Sequence, residues 1–419
     1  MSRRKVRKIR RRGPTVFNRN TRRKKILKNI ATVVFALMII PAGFFAAKYI
    51  LEGVEKTPAD TSRPGATGTT TASGPAATTT QKDTGDKNSA GGIRAFYLTL
   101  SQLRDSSLDS LLSAASQAGF NAAVFDLKDA KGALNYKSQT DFAKRSRAIT
   151  DNALTIEQLK ALIQKFFDKN ITPIPRLYAF RDHTSPHHLP TAKITVESYP
   201  SYTWLDDYKE KGGKPWLNPY APDAHSYIIG LAEELAETGF KSIMLDGVQF
   251  PNQTAQADYG DSELRSLSHI EVLRKFVADL GKAVGEGCRV MQTMPGLSAF
   301  GDGTEPFGGN PVTLGADTVS PLLMPSGFGN SLKVGETTVA NPLKTPYDAV
   351  RLAAGQIRLR LELIDQNERP AVMPWLQADD YSAEQIKLQI KAVLEEFGQE
   401  ASYILYNQKG SYDFGALAK

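Results

Sequence analysis

From residue 92 onward, short apolar runs alternate with segments whose apolar residues recur at helical spacing. The apolar runs predict eight β-strands, near residues 93–100, 121–128, 171–180, 241–250, 288–294, 317–324, 370–377 and 402–408. Three amphipathic helices are predicted from Leu108, Leu111, Leu112 and Ala115, from Ile228, Leu231, Ala232 and Leu235, and from Ile386, Ile390, Val393, Leu394 and Phe397. This alternation predicts an α/β fold, a (β/α)8 TIM barrel over residues 92–419. A doubly wound open sheet is the alternative, but no glycine-rich phosphate turn follows the first strand.

The connections between the predicted elements differ in length on the two sides of the barrel. Helix-to-strand connections are short and carry residues typical of helix C-caps, namely Gly119, Asn170, Gly239 and Gly398. The strand-to-helix connections are long, notably 181–221, 295–316 and 325–345. Barrel enzymes build their sites from strand-to-helix loops, so any site is expected at the C-terminal ends of the strands.

Composition divides the chain before the barrel into three segments. The first 28 residues contain 14 Lys or Arg and no Asp or Glu, which indicates a basic cytoplasmic tail over residues 1–29. Residues 30–51 are largely apolar and predict a single transmembrane helix. Residues 52–91, rich in Thr, Ala, Gly, Ser and Pro, predict a flexible, disordered linker. The sequence thus predicts a single-pass protein of the cell membrane with an extracytoplasmic barrel; a cleaved signal peptide and a nucleic-acid-binding tail are the alternatives.

The net charge of +8 does not describe the predicted barrel. The tail contributes +14 and residues 29–90 are balanced, so residues 91–419 carry −6. A mildly acidic domain argues against a nucleic-acid partner, because phosphate binding favours a basic surface. Cys288 is the only cysteine, which excludes an intrachain disulfide and a cysteine-based metal site.

Two segments place an aspartate at the same distance from a helix-ending glycine. In AGFNAAVFD (118–126) and TGFKSIMLD (238–246), the aspartate is the seventh residue after that glycine. Alternate strands of a barrel contribute to one interior layer, so Asp126 and Asp246 are expected in one layer near the catalytic mouth. Paired carboxylates can carry out glycoside hydrolysis, one as acid and the other as nucleophile or base. The alternative is that each aspartate caps its loop or pairs with Lys128 or Arg176.

Polar and aromatic residues at the other strand ends are suited to holding sugars. Aromatic faces stack on the C–H faces of sugar rings, whereas amides and arginine bond hydroxyls. The predicted sugar-binding residues are Arg176, Tyr178, Asp182, Trp216, Asn218, Trp375, Gln377 and Asn407. Simple packing is the alternative for each aromatic residue.

A group of histidines next to Asp182 gives only a weak metal signal. His183, His187 and His188 lack a well-spaced fourth ligand and any help from cysteine, so we expect neither a metal nor another cofactor. The chain also lacks the G-x-S-x-G motif of serine hydrolases.

Five segments, in this order, resemble the bacterial putative glycosyl hydrolase domain family: FDLKDAKGALNY, PRLYAFRD, KPWLNPY, IMLDGVQFP and PWLQ. The resemblance covers about residues 93–410 and implies a glycoside-hydrolase-like TIM barrel, attached to a membrane or wall. By position, it implies that the family's motif residues correspond to Asp126, Lys128, Asp129, Arg176, Asp182, Trp216, Asn218, Pro219 and Asp246.

Two positions depart from that family's pattern. Gln249 stands where the family usually has an arginine, and Thr293 stands where it usually has an acidic residue after the fifth strand. The first change removes a charge that could keep a neighbouring aspartate ionised, and the second removes a candidate acid or base.

The leading hypothesis is a membrane-anchored glycoside-hydrolase-like barrel acting on a cell-wall or surface polysaccharide. Asp246 would be its nucleophile or base, with Asp126 or Asp129 as the carboxylate partner. The two departures favour a catalytically inactive barrel that binds wall glycan or organises a surface assembly. A receptor coupled to transport is a weaker third possibility.

Overall fold

The computed structural model describes residues 92–301 and 306–418. Eight parallel strands form a closed barrel, since the first strand pairs with both the second and the eighth. The strands are β1 (Arg94–Tyr97), β2 (Ala122–Lys128), β3 (Thr172–Tyr178), β4 (Ser242–Asp246), β5 (Arg289–Pro295), β6 (Thr318–Leu322), β7 (Trp375–Gln377) and β8 (Tyr403–Tyr406). The predicted barrel and its eight strands are confirmed, although all of the observed strands except β5 are shorter than the apolar runs.

Each strand of the barrel is followed by a helix that packs outside it, and β2 is followed by an additional short helix within its connection. The helices are α1 (Leu108–Gln117), α2 (Ile156–Phe167), α3 (Pro222–Thr238), α4 (His269–Val284), α5 (Gly296–Phe300), α6 (Pro346–Glu362), α7 (Ala383–Phe397) and α8 (Phe414–Leu417). Capping boxes at Thr155, Ser268 and Ser382 fix the starts of α2, α4 and α7. The predicted helical spacing is confirmed, because α1, α3 and α7 bury apolar residues of the three predicted sets.

The seventh position of the barrel is divided between two short strands. Ala371–Val372 pairs with β6 first, and β7 follows after Pro374. Proline has no backbone N–H to donate to a neighbouring strand, which accounts for the interruption.

Side chains alternate along the barrel strands between two apolar regions. One set faces the barrel interior and comprises Ala95, Ala122, Val124, Ile174, Met244, Met291, Met373, Trp375 and Ile404. The residues between them pack outward against the helices in a larger core. Because the lower part of the interior is filled by these side chains, the next inward positions open towards the C-terminal ends of the strands.

Several strand-to-helix connections carry additional secondary structure. The β2–α2 connection contains strands Leu134–Tyr136 and Ile149–Leu154 and the helix Asp141–Ser146. Strands from two successive connections, Thr195–Val196, Tyr199–Thr203 and Ala257–Asp258, form a separate three-stranded sheet. A hairpin of Ser331–Val334 and Thr337–Ala340 lies between β6 and α6. These additions enlarge the face on which the sequence placed a site.

The membrane topology expected from the sequence requires a correction. Across the described ranges, 92–301 and 306–418, no helix is long and apolar enough to cross a membrane. The predicted tail (1–29), transmembrane helix (30–51) and linker (52–91) lie outside the described residues. The prediction of a single-pass protein of the cell membrane is corrected accordingly, since no described helix supports that topology.

Candidate active site at the barrel mouth

Arg176 lies at the centre of a buried polar cluster at the upper end of the barrel. It follows Ile174 on the inward-facing side of β3, one step above the apolar interior. Only 8% of its side chain is exposed. Burial disfavours the guanidinium charge, but Asp126, the neighbouring Tyr178 and Asp246 outweigh that cost and raise the pKa of Arg176.

Asp126 forms a two-pronged ion pair with this arginine. Arg176 donates from Nε to Oδ1 at 2.6 Å and from Nη2 to Oδ2 at 3.1 Å. The Tyr97 hydroxyl donates a third hydrogen bond to Oδ2 at 3.0 Å. Bidentate hydrogen bonds between charged groups are stronger than single neutral ones, so this carboxylate is held in one orientation.

Asp246 contacts the same guanidinium from β4. Arg176 Nη1 donates to its Oδ2 at 3.4 Å, and the backbone N–H of Gly247 donates to Oδ1 at 2.7 Å. Gly247 has a φ of 62°, and a Cβ there would approach Arg181 Cβ to 2.9 Å, so this turn requires glycine. Burial raises the pKa of Asp246, although the charge of Arg176 opposes the shift.

Aromatic rings surround the guanidinium. Its central carbon lies 4.9 Å from the ring centre of Trp375, 5.1 Å from that of Tyr178 and 5.6 Å from that of Tyr97. Tyr406 packs against Tyr97, with the ring centres 5.1 Å apart. These rings limit water around the ion pairs, which strengthens the electrostatic interactions inside the cluster.

The arrangement brings the two predicted aspartates together through Arg176. Because one guanidinium bonds both, the carboxylates are closer than the roughly 10 Å upper limit for glycoside hydrolysis. The alternative for these aspartates, pairing with Arg176, is therefore also observed. The surroundings of the two carboxylates differ, because Asp126 accepts two hydrogen bonds from Arg176 and Asp246 has a raised pKa. Two such groups can act separately as acid and base.

Asp129 and Asp182 lie in loops outside this cluster. Asp129 Oδ1 accepts the backbone N–H groups of Lys131 and Ala133 and so closes a tight turn. Asp182 forms a fully buried ion pair with Lys128 at 2.8 Å and accepts the N–H groups of Thr184 and Ser185. Both carboxylates thus stabilise loop structure.

Trp216 and Asn218 are also engaged within the protein. The Trp216 indole N–H donates to Asp206 Oδ2 at 3.2 Å, and its side chain is 3% exposed. Asn218 Nδ2 donates to the carbonyl of Tyr259 at 2.9 Å, and its Oδ1 accepts the N–H of Tyr220. Asn218 therefore joins the β3–α3 and β4–α4 connections, whereas Trp216 is bonded within the β3–α3 connection.

The predicted residues on β7 and directly after β8 are likewise hydrogen-bonded within the protein. Trp375 is fully buried and donates its indole N–H to Thr293 Oγ1 at 3.3 Å. Gln377 Oε1 accepts the N–H of Ser326 at 2.9 Å. Asn407 Oδ1 accepts the N–H groups of Lys409 and Ser411 in the turn after β8.

The histidines near Asp182 do not form a metal centre in the part of the chain that the structure describes. His183 Nδ1 donates to the carbonyl of Pro215 at 2.9 Å. Burial lowers the pKa of this imidazole. Its observed contact is therefore with the neighbouring loop backbone.

Sequence reasoning missed Tyr97 and Tyr406 of the cluster and the half-buried Asp206 of the β3–α3 connection. Extending the inward alternation from Ala95 and Ile404 by one step would have placed both tyrosines at the mouth. Asp206 had no such signal, because it lies in an irregular loop. Burial raises the pKa of its carboxyl group.

A family model described as "Putative glycosyl hydrolase domain" matches residues 95–412. The chain belongs to this family. The match includes β1 from Ala95 onward, the other seven strands of the barrel and every residue of the Arg176 cluster. Thr293 stands where the resemblance to the family implies an acidic residue. Its side chain is buried, and its hydroxyl accepts the indole N–H of Trp375. No curated protein matches the sequence.

Solved structures of similar fold include glycoside hydrolases. A hypothetical protein from Ruminiclostridium thermocellum ATCC 27405 is 24% identical, with a TM-score of 0.40, over 46% of this chain and 96% of its own. A GH20 exo β-N-acetylglucosaminidase from Vibrio harveyi is 11% identical, with a TM-score of 0.45, over 75% of this chain and 50% of its own. The glycoside hydrolase domain of a PelA variant from Pseudomonas aeruginosa is 12% identical, with a TM-score of 0.40, over 77% of this chain and 96% of its own.

Proposed function

We propose that the barrel hydrolyses glycosidic bonds of a polysaccharide at its C-terminal mouth. The observation that carries this proposal is the contact of Asp126 and Asp246 with one buried guanidinium. Membership of the glycosyl hydrolase domain family supports it.

The surroundings of the two aspartates support different roles. Asp126, which takes two hydrogen bonds from Arg176 and one from Tyr97, is the fixed carboxylate that faces the positive charge developing at the anomeric carbon. Asp246, whose pKa is raised by burial, is the proton donor. This division reverses the sequence hypothesis, which made Asp246 the nucleophile or base.

The proposed reaction uses these two groups and one water. Asp246 transfers its proton to the glycosidic oxygen as the bond from that oxygen to the anomeric carbon breaks. Asp126 stabilises the resulting oxocarbenium-like centre, either by its charge or by forming a glycosyl ester. Water then supplies hydroxide to the anomeric carbon, and its remaining proton returns to Asp246.

A barrel that binds glycan without cleaving it is the second candidate. The observation that favours it is the hydroxyl of Thr293, which stands in place of an expected carboxylate and is bonded to Trp375. Arg176 also compensates the charge of both aspartates within the folded protein. In this alternative, the cluster stabilises the barrel and the mouth only holds the sugar chain.

Incubation of the purified full-length protein with peptidoglycan, chitin and a soluble exopolysaccharide, followed by a reducing-end assay, tests the proposal. Wild type should release new reducing ends from at least one polysaccharide, and Asp246→Asn should lose this activity while keeping its circular dichroism spectrum. Asp168→Asn is a matched control, since Asp168 is exposed at the end of α2. Binding of a polysaccharide by wild type without any turnover would support the second candidate instead.

A further inference from the structure

A cleft of about 540 Å³ lies in the loops above β3 and β4. Its walls come from the hairpin that contains Tyr199–Thr203 and from the segment following Phe250. The residues that line it include Tyr199, Tyr202, Trp204, Asp206, Gln253 and Gln256. The volume falls within the range of about 300–1,000 Å³ that is typical of ligand sites.

Two tyrosines in this cleft expose most of their side chains. Tyr199 is 62% exposed and Tyr202 is 66% exposed, whereas Trp204 beneath them is buried. The two tyrosine rings meet edge to face, with centres 6.1 Å apart. Adjacent exposed aromatic rings are unfavourable in water, and such patches mark surfaces that contact a ligand.

Hydrogen bonds hold the segment that carries the two tyrosines. Lys193 Nζ donates to the carbonyl of Ser201 and to Thr203 Oγ1, each at 3.2 Å. The Trp204 indole N–H donates to the carbonyl of Ala255 at 2.9 Å and thereby joins the two walls. A rigid support lowers the entropy cost of holding a ligand against the rings.

Polar groups border the aromatic surface. Gln253 and Gln256 are exposed at the cleft, and Asp206 contributes a half-buried carboxyl group that accepts the indole N–H of Trp216. Aromatic faces with amide and carboxyl groups at their edge match the alternating C–H and hydroxyl surfaces of a sugar chain. The net charge of −6 over residues 91–419 disfavours the other stacking polymer, a nucleic acid.

We propose that this cleft is a second glycan site, which holds a polysaccharide chain beside the barrel mouth. The hairpin and the opposite wall extend from β3 and β4, the strands that carry Arg176 and Asp246, so a chain in the cleft continues on the same face of the barrel. The proposal rests on a polysaccharide being the ligand, as in the proposed function, but it requires no turnover.

Affinity electrophoresis of the full-length protein through gels containing soluble chitosan, carboxymethylcellulose or a soluble exopolysaccharide tests this site. Wild type should be retarded by at least one polymer, and the Tyr199→Ala/Tyr202→Ala variant should bind that polymer at least about tenfold more weakly. Tyr208→Ala is the matched control, because Tyr208 is 73% exposed in the same connection but does not line the cleft. It should bind as wild type does.

The outcomes separate this proposal from hydrolysis. Retardation that is lost in the double variant supports the cleft even if no polymer is cleaved, in which case only the proposed function fails. If wild type is retarded by none of the polymers, or if the double variant is retarded as strongly as wild type, the cleft is not a glycan site. An equal loss in Tyr208→Ala would also overturn the proposal, since it would show a general surface effect.

Discussion

Arg176 donates hydrogen bonds to Asp126 at 2.6 and 3.1 Å and to Asp246 at 3.4 Å, so one guanidinium joins the ends of β2 and β4 through β3. The contacts are unequal. Asp126 accepts two hydrogen bonds from the guanidinium, whereas Asp246 accepts one longer bond from it and one from the backbone N–H of Gly247. This asymmetry, together with the raised pKa of Asp246, underlies the separate roles proposed for the two carboxylates.

The pH dependence of turnover should report the protonation of Asp246. A proton donor is active only while protonated, and burial raises the pKa of Asp246 above the usual aspartate value of about 4. We therefore expect kcat to fall as pH rises through this raised pKa, with activity extending above the usual carboxyl range. A kcat–pH profile on the cleaved polysaccharide measures the effect. A profile that rises with pH throughout the carboxyl range would assign Asp246 as a base.

Replacement of Asp126 and of Asp129 should distinguish the two carboxylate partners considered for Asp246. Asp126→Asn removes the charge next to the reacting centre and should lower kcat by at least about 100-fold. Asp129→Asn changes a turn-closing acceptor and should keep kcat within about threefold, since Asp129 Oδ1 bonds only loop backbone in the contacts described above. Reducing-end assays with circular dichroism as a folding check decide this; a large kcat loss in Asp129→Asn alone would reverse the assignment.

Loss of the Arg176 charge should destabilise the barrel in a pH-dependent way. Arg176→Met leaves Asp126 and Asp246 buried without their cation, which should cost about 3–5 kcal/mol of unfolding free energy at pH 7. Without the arginine, burial should raise the folded-state pKa of Asp246 further above its unfolded value. The destabilisation should therefore be smallest at low pH and grow as pH rises through that raised value.

Urea unfolding at pH 4 and pH 7 measures this dependence. Lys165→Met is the control, because Lys165 pairs with Asp109 where both side chains are more than half exposed, and exposed pairs stabilise proteins little. Equal destabilisation by Arg176→Met at both pH values would contradict the explanation.

The Lys128–Asp182 pair should contribute stability that is lost at low pH. Burial alone would raise the pKa of Asp182, but Lys128 and the hydrogen bonds from Ser185 outweigh it and lower that pKa. Ionised Asp182 therefore stabilises the fold above its unfolded pKa of about 3.9, and this contribution is lost as pH falls through the lower folded value.

Asp182→Asn leaves Lys128 buried without its partner and should cost about 3–5 kcal/mol at pH 7. The difference from wild type should shrink as the pH is lowered below about 4. Thermal or urea unfolding of both proteins between pH 3 and pH 7 measures it. A difference that stays constant over this range would show that the loss comes from packing rather than from charge.

Much of the barrel could be predicted from local patterns. Strand runs such as 121–128 and 241–250 were visible because both faces of a barrel strand are buried and are therefore apolar. The prediction that Asp126 and Asp246 lie in one interior layer followed from their equal spacing from Gly119 and Gly239, respectively. The inserted strands around Leu134–Tyr136 were not predicted, since short segments within a loop carry too little periodicity.

Individual site residues were harder to place. Trp216, Asn218 and Asp182 looked suited to binding sugars, yet the structure shows each one bonded to other residues of the protein. A polar residue suited to ligand binding is equally suited to satisfying buried backbone groups, and sequence does not reveal which partner is near. Their proposed contacts with sugars remain predictions.

The sequence by itself determined the alternation of strands and helices, the end of the barrel that carries the long loops, and the two aspartates that face its interior. These features depend on local periodicity and on the fixed geometry of parallel strands. Only the tertiary structure showed that Arg176 lies between those aspartates and that Tyr199 and Tyr202 remain exposed in the connection after β3. Such contacts join residues far apart in the chain, so they are set by the closure of the barrel and the packing of its loops.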